Sequence, residues 1–223
     1  MSESYNETLR NFHTLKDYEQ QYAGRTWKQY RDLLAQVIRE AEPGVLLDIG
    51  SGMGFFTECA HRFGIRSVGL DGSLEGLKKV RERVGDLRMI SADNGESLPF
   101  RDQSVSIAVA AYVVEHMSHD SMMGLFSEVH RILIPNGTFW CFSPSPKADD
   151  AYDDPHHINV MAPSTLRNCL RNAGFHSVES KDSPRNFLGK SYVCRRIANF
   201  IFRRFPYDRL SVSSHALARK EDS

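Results

Sequence analysis

The chain has 223 residues, enough to bury a full core as one domain. Lys plus Arg and Asp plus Glu each number 28, so the formal charge is zero and no global field gathers a polyanion, which disfavours nucleic acid as a partner. The polar amino terminus MSESYNETLRNFH lacks the apolar core of a signal peptide, and no run of about eighteen apolar residues occurs. These features predict a cytoplasmic protein without a membrane span. Cys59, Cys141, Cys169 and Cys194 are scattered with no Cys-x-x-Cys pair, so buried free thiols are expected rather than a zinc site or a disulfide framework.

Residues 17–25, including Tyr22, are polar and carry aromatics; they read either as a solvated lead-in or as a flap touching substrate. Trp27, Tyr30, Leu34, Val37, Ile38 and Ala41 then recur three and four apart, which predicts an amphipathic helix ended by Pro43-Gly44. The stretch VLLDIGSGMGFFT, residues 45–57, follows. Its apolar start suits a strand buried on both faces, its glycines a tight turn, and Phe55, Phe56, Cys59, Ala60 and Phe63 a helix stopped at Gly64. Such a turn lets a ligand approach bare backbone N–H groups, although a glycine cluster also serves merely to join a strand to a helix. An acid at the end of the next strand separates the two readings. Residues 67–71, Ser-Val-Gly-Leu-Asp, are that strand, and Asp71 lies about 20 residues past the turn, the spacing of a carboxylate that accepts from ribose hydroxyls.

Gly72-Ser73 opens a helix with Leu74, Leu77, Val80 and Val84 on one face and Lys78, Lys79, Arg81 and Arg83 on the other. A third strand over 87–91 runs into Asp93-Asn94, a fourth covers 105–110, and a fifth, 138–142, follows a turn at Pro135-Asn136-Gly137. Strands alternating with helices predict a doubly wound, mostly parallel α/β sheet of Rossmann-like type, with a sixth strand over 175–180 and a seventh over 213–218. One domain is expected: a helical cap over 1–43, a cofactor-binding core over 44–145, and a substrate loop with the closing elements over 146–223. Residues 143–155 are irregular and acidic, and a long link after a central strand is a candidate substrate loop. Between 190 and 209, six basic residues stand against Asp208, a local charge of +5, among apolar residues at helical spacing. That pattern predicts either weak attachment to anionic membranes or a solvated cap on the sheet.

Taken together, VLLDIGSGMGFFT, Asp71, Asp93-Asn94, IAVAAYVVEHM and EVHRILIPNGTFWCFSP closely resemble the class I S-adenosylmethionine-dependent methyltransferases. The resemblance is strong over about 41–145, looser over 155–180 and slight at both ends. It implies S-adenosyl-L-methionine as cofactor and S-adenosyl-L-homocysteine as product. Asp48 and the turn Gly50, Ser51, Gly52 and Met53 would surround the methionine end. Asp71 would bind the ribose, Gly72 and Ser73 would lie near the adenosine, and Asp93, with Asn94 beside it, would bind the adenine amino group. Tyr112 and Val113 would border the cofactor where substrate arrives. The first loop reads Gly-x-Gly-x-Gly rather than Gly-x-Gly-x-x-Gly, which sets a nicotinamide dehydrogenase second.

The reaction implied is attack on a sulfonium methyl, so the protein supplies positioning, and a base only for an acceptor that keeps its proton. His116 and His157 are the candidate bases and His156 a candidate substrate contact; a histidine held by Glu115 at a helix start, or a structural loop histidine, is the alternative reading. Some similar methyltransferases bind metal through Glu-x-x-Glu-His and a later histidine. Tyr112 stands here in the first glutamate's place, and no metal is expected. The expected acceptor is a hydroxyl oxygen of a small molecule, lipid or glycan; RNA or protein methylation and a non-catalytic cofactor-binding protein are the alternatives.

Overall fold

The computed structural model describes residues 26–39, 41–85, 87–92, 97–184 and 212–221. After a short 3₁₀ turn at Trp27–Tyr30 come α1 (Arg31–Arg39), β1 (Leu46–Ile49), α2 (Phe55–Arg62), β2 (Ser67–Asp71), α3 (Leu74–Val84) and β3 (Met89–Ser91). The second half supplies β4 (Val105–Ala111), a 3₁₀ turn at Val114–His116, α4 (His119–Ile132), β5 (Leu133–Pro144), α5 (Pro163–Asn172), β6 (Ser177–Pro184) and β7 (Val212–Arg219). The seven strands form one sheet in the order β3-β2-β1-β4-β5-β7-β6. β1 pairs in parallel with both β2 and β4, whereas β7 enters antiparallel between β5 and β6. This is the doubly wound α/β sheet that the alternation of strands and helices predicts.

Successive strand residues face opposite sides of the sheet, and the two apolar clusters follow that period. Leu47, Ile49, Ala108, Ala110, Phe139, Cys141, Ala216 and Ala218 pack with Met122, Phe126 and Val129 of α4 and Leu166 and Leu170 of α5. Leu46, Ile107, Val109 and Trp140 pack on the other face with Leu34 and Val37 of α1 and Phe56, Cys59 and Ala60 of α2. The central strands β1 (LLDI) and β4 (VSIAVAA) are therefore apolar at nearly every position, as strands covered on both faces require. Cys59, Cys141 and Cys169 are buried free thiols, as expected, and burial pushes the Cys59 thiol up to about 11.

Local departures from the sequence reading have physical reasons. Ile38 and Leu74, assigned to apolar helix faces, stand exposed: Ile38 lines an open groove beside α1, and Leu74 is the first residue of α3, ahead of the packed Leu77 and Val80. The turn expected at Pro135-Asn136-Gly137 sits inside β5 as an irregularity, with Asn136 at φ +60 and the register slipping between Val105↔Leu133 and Ile107↔Thr138. α4 accordingly passes into β5 with no separate loop. No described helix is long and apolar enough to cross a membrane. The basic segment 190–209, Cys194 and the candidate flap 17–25 lie outside the described residues.

Candidate active site at the carboxyl ends of the strands

β1 is buried at all four positions and runs straight into the glycine turn. Gly50, Gly52 and Gly54 have φ of +66, +52 and +66, a left-handed region that costs other residues strain. At Gly50 space is equally restrictive: a β-carbon there would lie 2.3 Å from Cγ2 of Val113, so the end of β4 rests directly on the turn. The backbone N–H of Ser51 donates to the Leu70 carbonyl (3.0 Å), which ties the turn to β2 as well.

Asp71, at the end of β2, is buried, and its two oxygens hold the neighbouring loops. Oδ2 accepts from the Gly52 N–H at 2.7 Å and Oδ1 from the Ser73 N–H at 2.8 Å, while the Ser73 hydroxyl caps α3 by accepting from Gly76 N–H. A carboxylate oxygen accepts more than one hydrogen bond, so these two bonds do not by themselves bar a ribose diol from donating to Asp71. Asp48 is also buried and accepts from the Thr57 hydroxyl at 2.6 Å. Burial outweighs that bond and lifts its carboxyl to about 7.

The residues present fit a nucleoside cofactor. The Ser51 hydroxyl is buried with no partner among the described residues, an orphan that a bound group would satisfy. The cradle around Gly50 admits backbone and no β-carbon, and Asp71 stands at ribose spacing. Asp93, Asn94 and Tyr22, which the sequence assigns to the cofactor and substrate, lie outside the described residues.

Arg83 was not singled out by the sequence. Read from spacing, it belongs to the solvated basic face of α3; in the structure it reaches back across the turn, donates to the Met53 carbonyl (2.6 Å), pairs with the buried Glu58, and lies over the Phe55 ring at 4.2 Å. No local signal marks such a contact, since its partners are 25 and 30 residues away.

Past β4 the backbone is strained. Tyr112 is left-handed (φ +61) and half-exposed, its N–H donates to the Phe142 carbonyl, and its hydroxyl bonds the Ser213 hydroxyl at 2.6 Å, fastening the end of β4 to β7. The turn at Val114–His116 then buries Glu115 and places His116 beside the segment that follows β5.

That segment folds back onto it. Asp154 accepts from the His156 N–H through Oδ1 and from the His157 N–H through its carbonyl, a turn read directly from Asp154-Pro155-His156. Asn159 N–H donates to the Glu115 carbonyl. His116 Nδ1 lies 3.2 Å from the His156 carbonyl and His157 Nδ1 lies 2.8 Å from the Ala151 carbonyl. A carbonyl only accepts, so in both rings Nδ1 carries the hydrogen and Nε2 the lone pair. The rings are 4.9 Å apart, and ligand atoms of Glu115, His116 and His157 lie within 4.8 Å of one another. The sequence-predicted pair His116 and His157 is thus brought together from 41 positions apart, and the contribution of His156 to this cluster is its carbonyl.

The open groove of about 640 Å³ between α1 and the Phe63–Ile65 stretch lies at the amino end of β2, away from this chemistry. The glycine turn, Asp71, Val113 and the histidines all stand at the carboxyl ends of parallel strands, where such sheets bind their ligands. The fold, with its antiparallel β7, and this site define a nucleoside-cofactor domain of methyltransferase type.

Comparison with known proteins agrees with that class. Residues 47–141 match the model of the methyltransferase domain family. A probable S-adenosylmethionine-dependent methyltransferase of Mycolicibacterium smegmatis is 30% identical over 135 residues, covering 58% of this chain and 51% of that protein. Among solved structures, a S-adenosylmethionine-dependent methyltransferase of Archaeoglobus fulgidus superposes with a TM-score of 0.70 at 21% identity, covering 91% of this chain and 98% of the other. Phosphoethanolamine N-methyltransferase 2 of Haemonchus contortus, in complex with S-adenosyl-L-methionine, gives 0.71 at 19% identity, covering 98% of this chain and 60% of the other. Residues 47–141, which hold the glycine turn, Asp71 and the end of β4, are therefore similar to a methyltransferase domain, and the fold is that of solved S-adenosylmethionine-dependent methyltransferases. The aligned parts span about two fifths to one half of the curated relatives' length.

Proposed function

We propose that this chain transfers the methyl group of S-adenosylmethionine to a hydroxyl oxygen of a small-molecule, lipid or glycan acceptor. The observation that carries the reading is the histidine pair: His116 and His157, 4.9 Å apart, with backbone carbonyls holding both Nδ1 hydrogens and leaving both lone pairs on Nε2. A hydroxyl keeps its proton at neutral pH, whereas imidazole accepts one in that range, so this pair suits an acceptor that must be deprotonated.

When bound, the cofactor supplies a methyl group already activated on a sulfonium. The glycine turn and Asp71 orient it through the Gly52 and Ser73 loops, and Val113 packs on Gly50 to set the end of β4 against it. Nε2 of His116 or His157 takes the acceptor's proton as its oxygen attacks. Tyr112, Tyr152 and Ile158, large side chains left half-exposed or exposed at this end of the sheet, supply apolar area for an acceptor with a hydrocarbon or sugar-ring face.

The test measures methyl transfer from labelled S-adenosylmethionine to a panel of hydroxylated small molecules, glycans and lipids, with amines as the contrast. A hydroxyl product is expected, with turnover down by roughly 100-fold or more in His116→Ala or His157→Ala and S-adenosylhomocysteine affinity unchanged. Full turnover in both variants removes the base assignment. Products only on nitrogen, as for the N-methyltransferase neighbour's named reaction, remove the acceptor class.

A further inference from the structure

The buried Glu115 and the half-buried His116 and His157 each bring a ligand atom within 4.8 Å of the other two. We propose that this cluster is a divalent-cation site, ligated by the Glu115 carboxylate and by Nε2 of both histidines.

Three observations carry the assignment. First, the donors come from two separate segments: Glu115 and His116 follow β4, and His157 sits 41 residues after His116, held in place by its own turn and by the Asn159 bond to the Glu115 carbonyl. Second, each imidazole donates its Nδ1 hydrogen to a backbone carbonyl, of His156 and of Ala151, which fixes ring orientation and directs the lone pair to Nε2. Metal-ligating histidines are oriented in this way by their outer partners. Third, a carboxylate more deeply buried than is usual lies beside those lone pairs, and Asp154, whose carboxylate oxygen is 3.8 Å from His157 Nε2, is in reach as a further oxygen ligand.

The distances set what must move. At a tetrahedral angle two metal–ligand bonds of about 2.1 Å hold donor atoms about 3.4 Å apart, so donors separated by the full 4.8 Å must approach by roughly 1.4 Å. Rotation of the half-buried His157 ring about its side-chain bonds covers that. Two imidazoles and one carboxylate suit Zn²⁺, Co²⁺ or Mn²⁺ better than Mg²⁺ or Ca²⁺, which prefer oxygen. The sequence argument against a metal rested on Tyr112 in place of a first glutamate; the folded chain forms a three-donor cluster without that position. The site stands on its own geometry. Only its consequence rests on the proposed O-methyl transfer, and it replaces the base role given to the histidines there: with a cation bound, both Nε2 lone pairs are ligands and take no proton, the cation holds the acceptor's oxygen and lowers its pKa, and the released proton passes to water.

The test uses the full chain freed of metal with a chelator and titrated with CoCl₂, in the absence of acceptor. Saturation at one Co²⁺ per chain is expected, with a visible ligand-field band and at least tenfold weaker binding in Glu115→Gln and in His157→Gln. Retained S-adenosylhomocysteine binding shows that each variant is folded, and if Glu115→Gln fails that check His157→Gln, at a half-buried position, carries the comparison. Wild-type affinity weaker than about millimolar, or variants that bind Co²⁺ as the wild type does, overturn the site. Co²⁺ binding as described with no hydroxyl methylation keeps the site and removes the acceptor reading; hydroxyl methylation without Co²⁺ binding does the reverse.

Discussion

Asp48→Asn separates the electrostatic cost of the buried acid beside the glycine turn from its packing. Burial lifts the Asp48 carboxyl from an ordinary 3.8 to about 7, against the lowering effect of the Thr57 hydrogen bond. In the interval between those values the folded chain holds a proton that the unfolded chain has lost. Stability therefore falls as pH rises from about 4 to about 7 and is flat on either side. A shift of about three units at about 1.36 kcal/mol each amounts to about 4 kcal/mol across the interval. Asparagine does not ionise, yet its amide oxygen still accepts from Thr57, so the variant lacks the slope and keeps the bond. Urea unfolding of both proteins at about pH 5, 6, 7 and 8 should show the variant gaining on the wild type by several kcal/mol, most of it below about pH 7. His215, which burial drops to about 4, titrates alike in both proteins and cancels in the difference. Two parallel stability profiles would refute the reasoning, because they would mean that Asp48 is ionised and compensated throughout.

Gly50→Ala should cost roughly 1–3 kcal/mol through its left-handed φ alone, and more through the 2.3 Å approach to Val113; adding Val113→Ala should return the second part and not the first, read as urea midpoints. If Val113→Ala returns nothing, the contact is not the cause. Asp71→Asn leaves one oxygen to serve the Gly52 and Ser73 N–H groups that two serve now, so S-adenosylhomocysteine affinity should fall by roughly ten- to a hundredfold in calorimetry; an unchanged affinity would remove Asp71 from the ribose site. Arg83→Met removes charged hydrogen bonds to Glu58 and Met53, worth roughly 1.5–3 kcal/mol each, and should weaken both stability and cofactor binding, while Arg81→Met, at another exposed position of the same helix, does neither. Equal behaviour of the two arginine variants would show that the clamp on the turn has no effect.

The fold was legible because its determinants are short-range. Apolar runs of four to seven residues, glycines at three left-handed positions and helices with one apolar stripe are each written within a dozen residues, and β1 to β5 follow from them. The placement of the glycine turn was legible for the same reason: Asp48, Gly50, Ser51, Gly52 and Asp71 occupy fixed offsets from strand ends, and the fold brings them together at the carboxyl ends of β1 and β2. What the sequence does not display is pairing at a distance. Arg83 looks like any solvated helix arginine until it meets Glu58 and Met53, and the register slip around Asn136 depends on which residues of β4 lie opposite.

The acceptor half shows how the two parts of the site are joined. His116 inherits its place from β4, whose end is fixed by Val113 on Gly50 and by Tyr112 on Ser213. His157 inherits its place from the Asp154 turn, which belongs to the link after β5. The two segments meet through the His116–His156 and Asn159–Glu115 bonds, while the His157–Ala151 bond is internal to the link; both imidazoles thus donate to backbone carbonyls of the link. Because a carbonyl is present whatever the side chain, the outer residues of the link, such as the exposed Tyr152 and Ile158, are free to differ in shape without releasing either imidazole. On the proposed function, acceptor choice can thus be carried by those side chains while the histidine geometry, and the glycine turn beneath it, stay fixed.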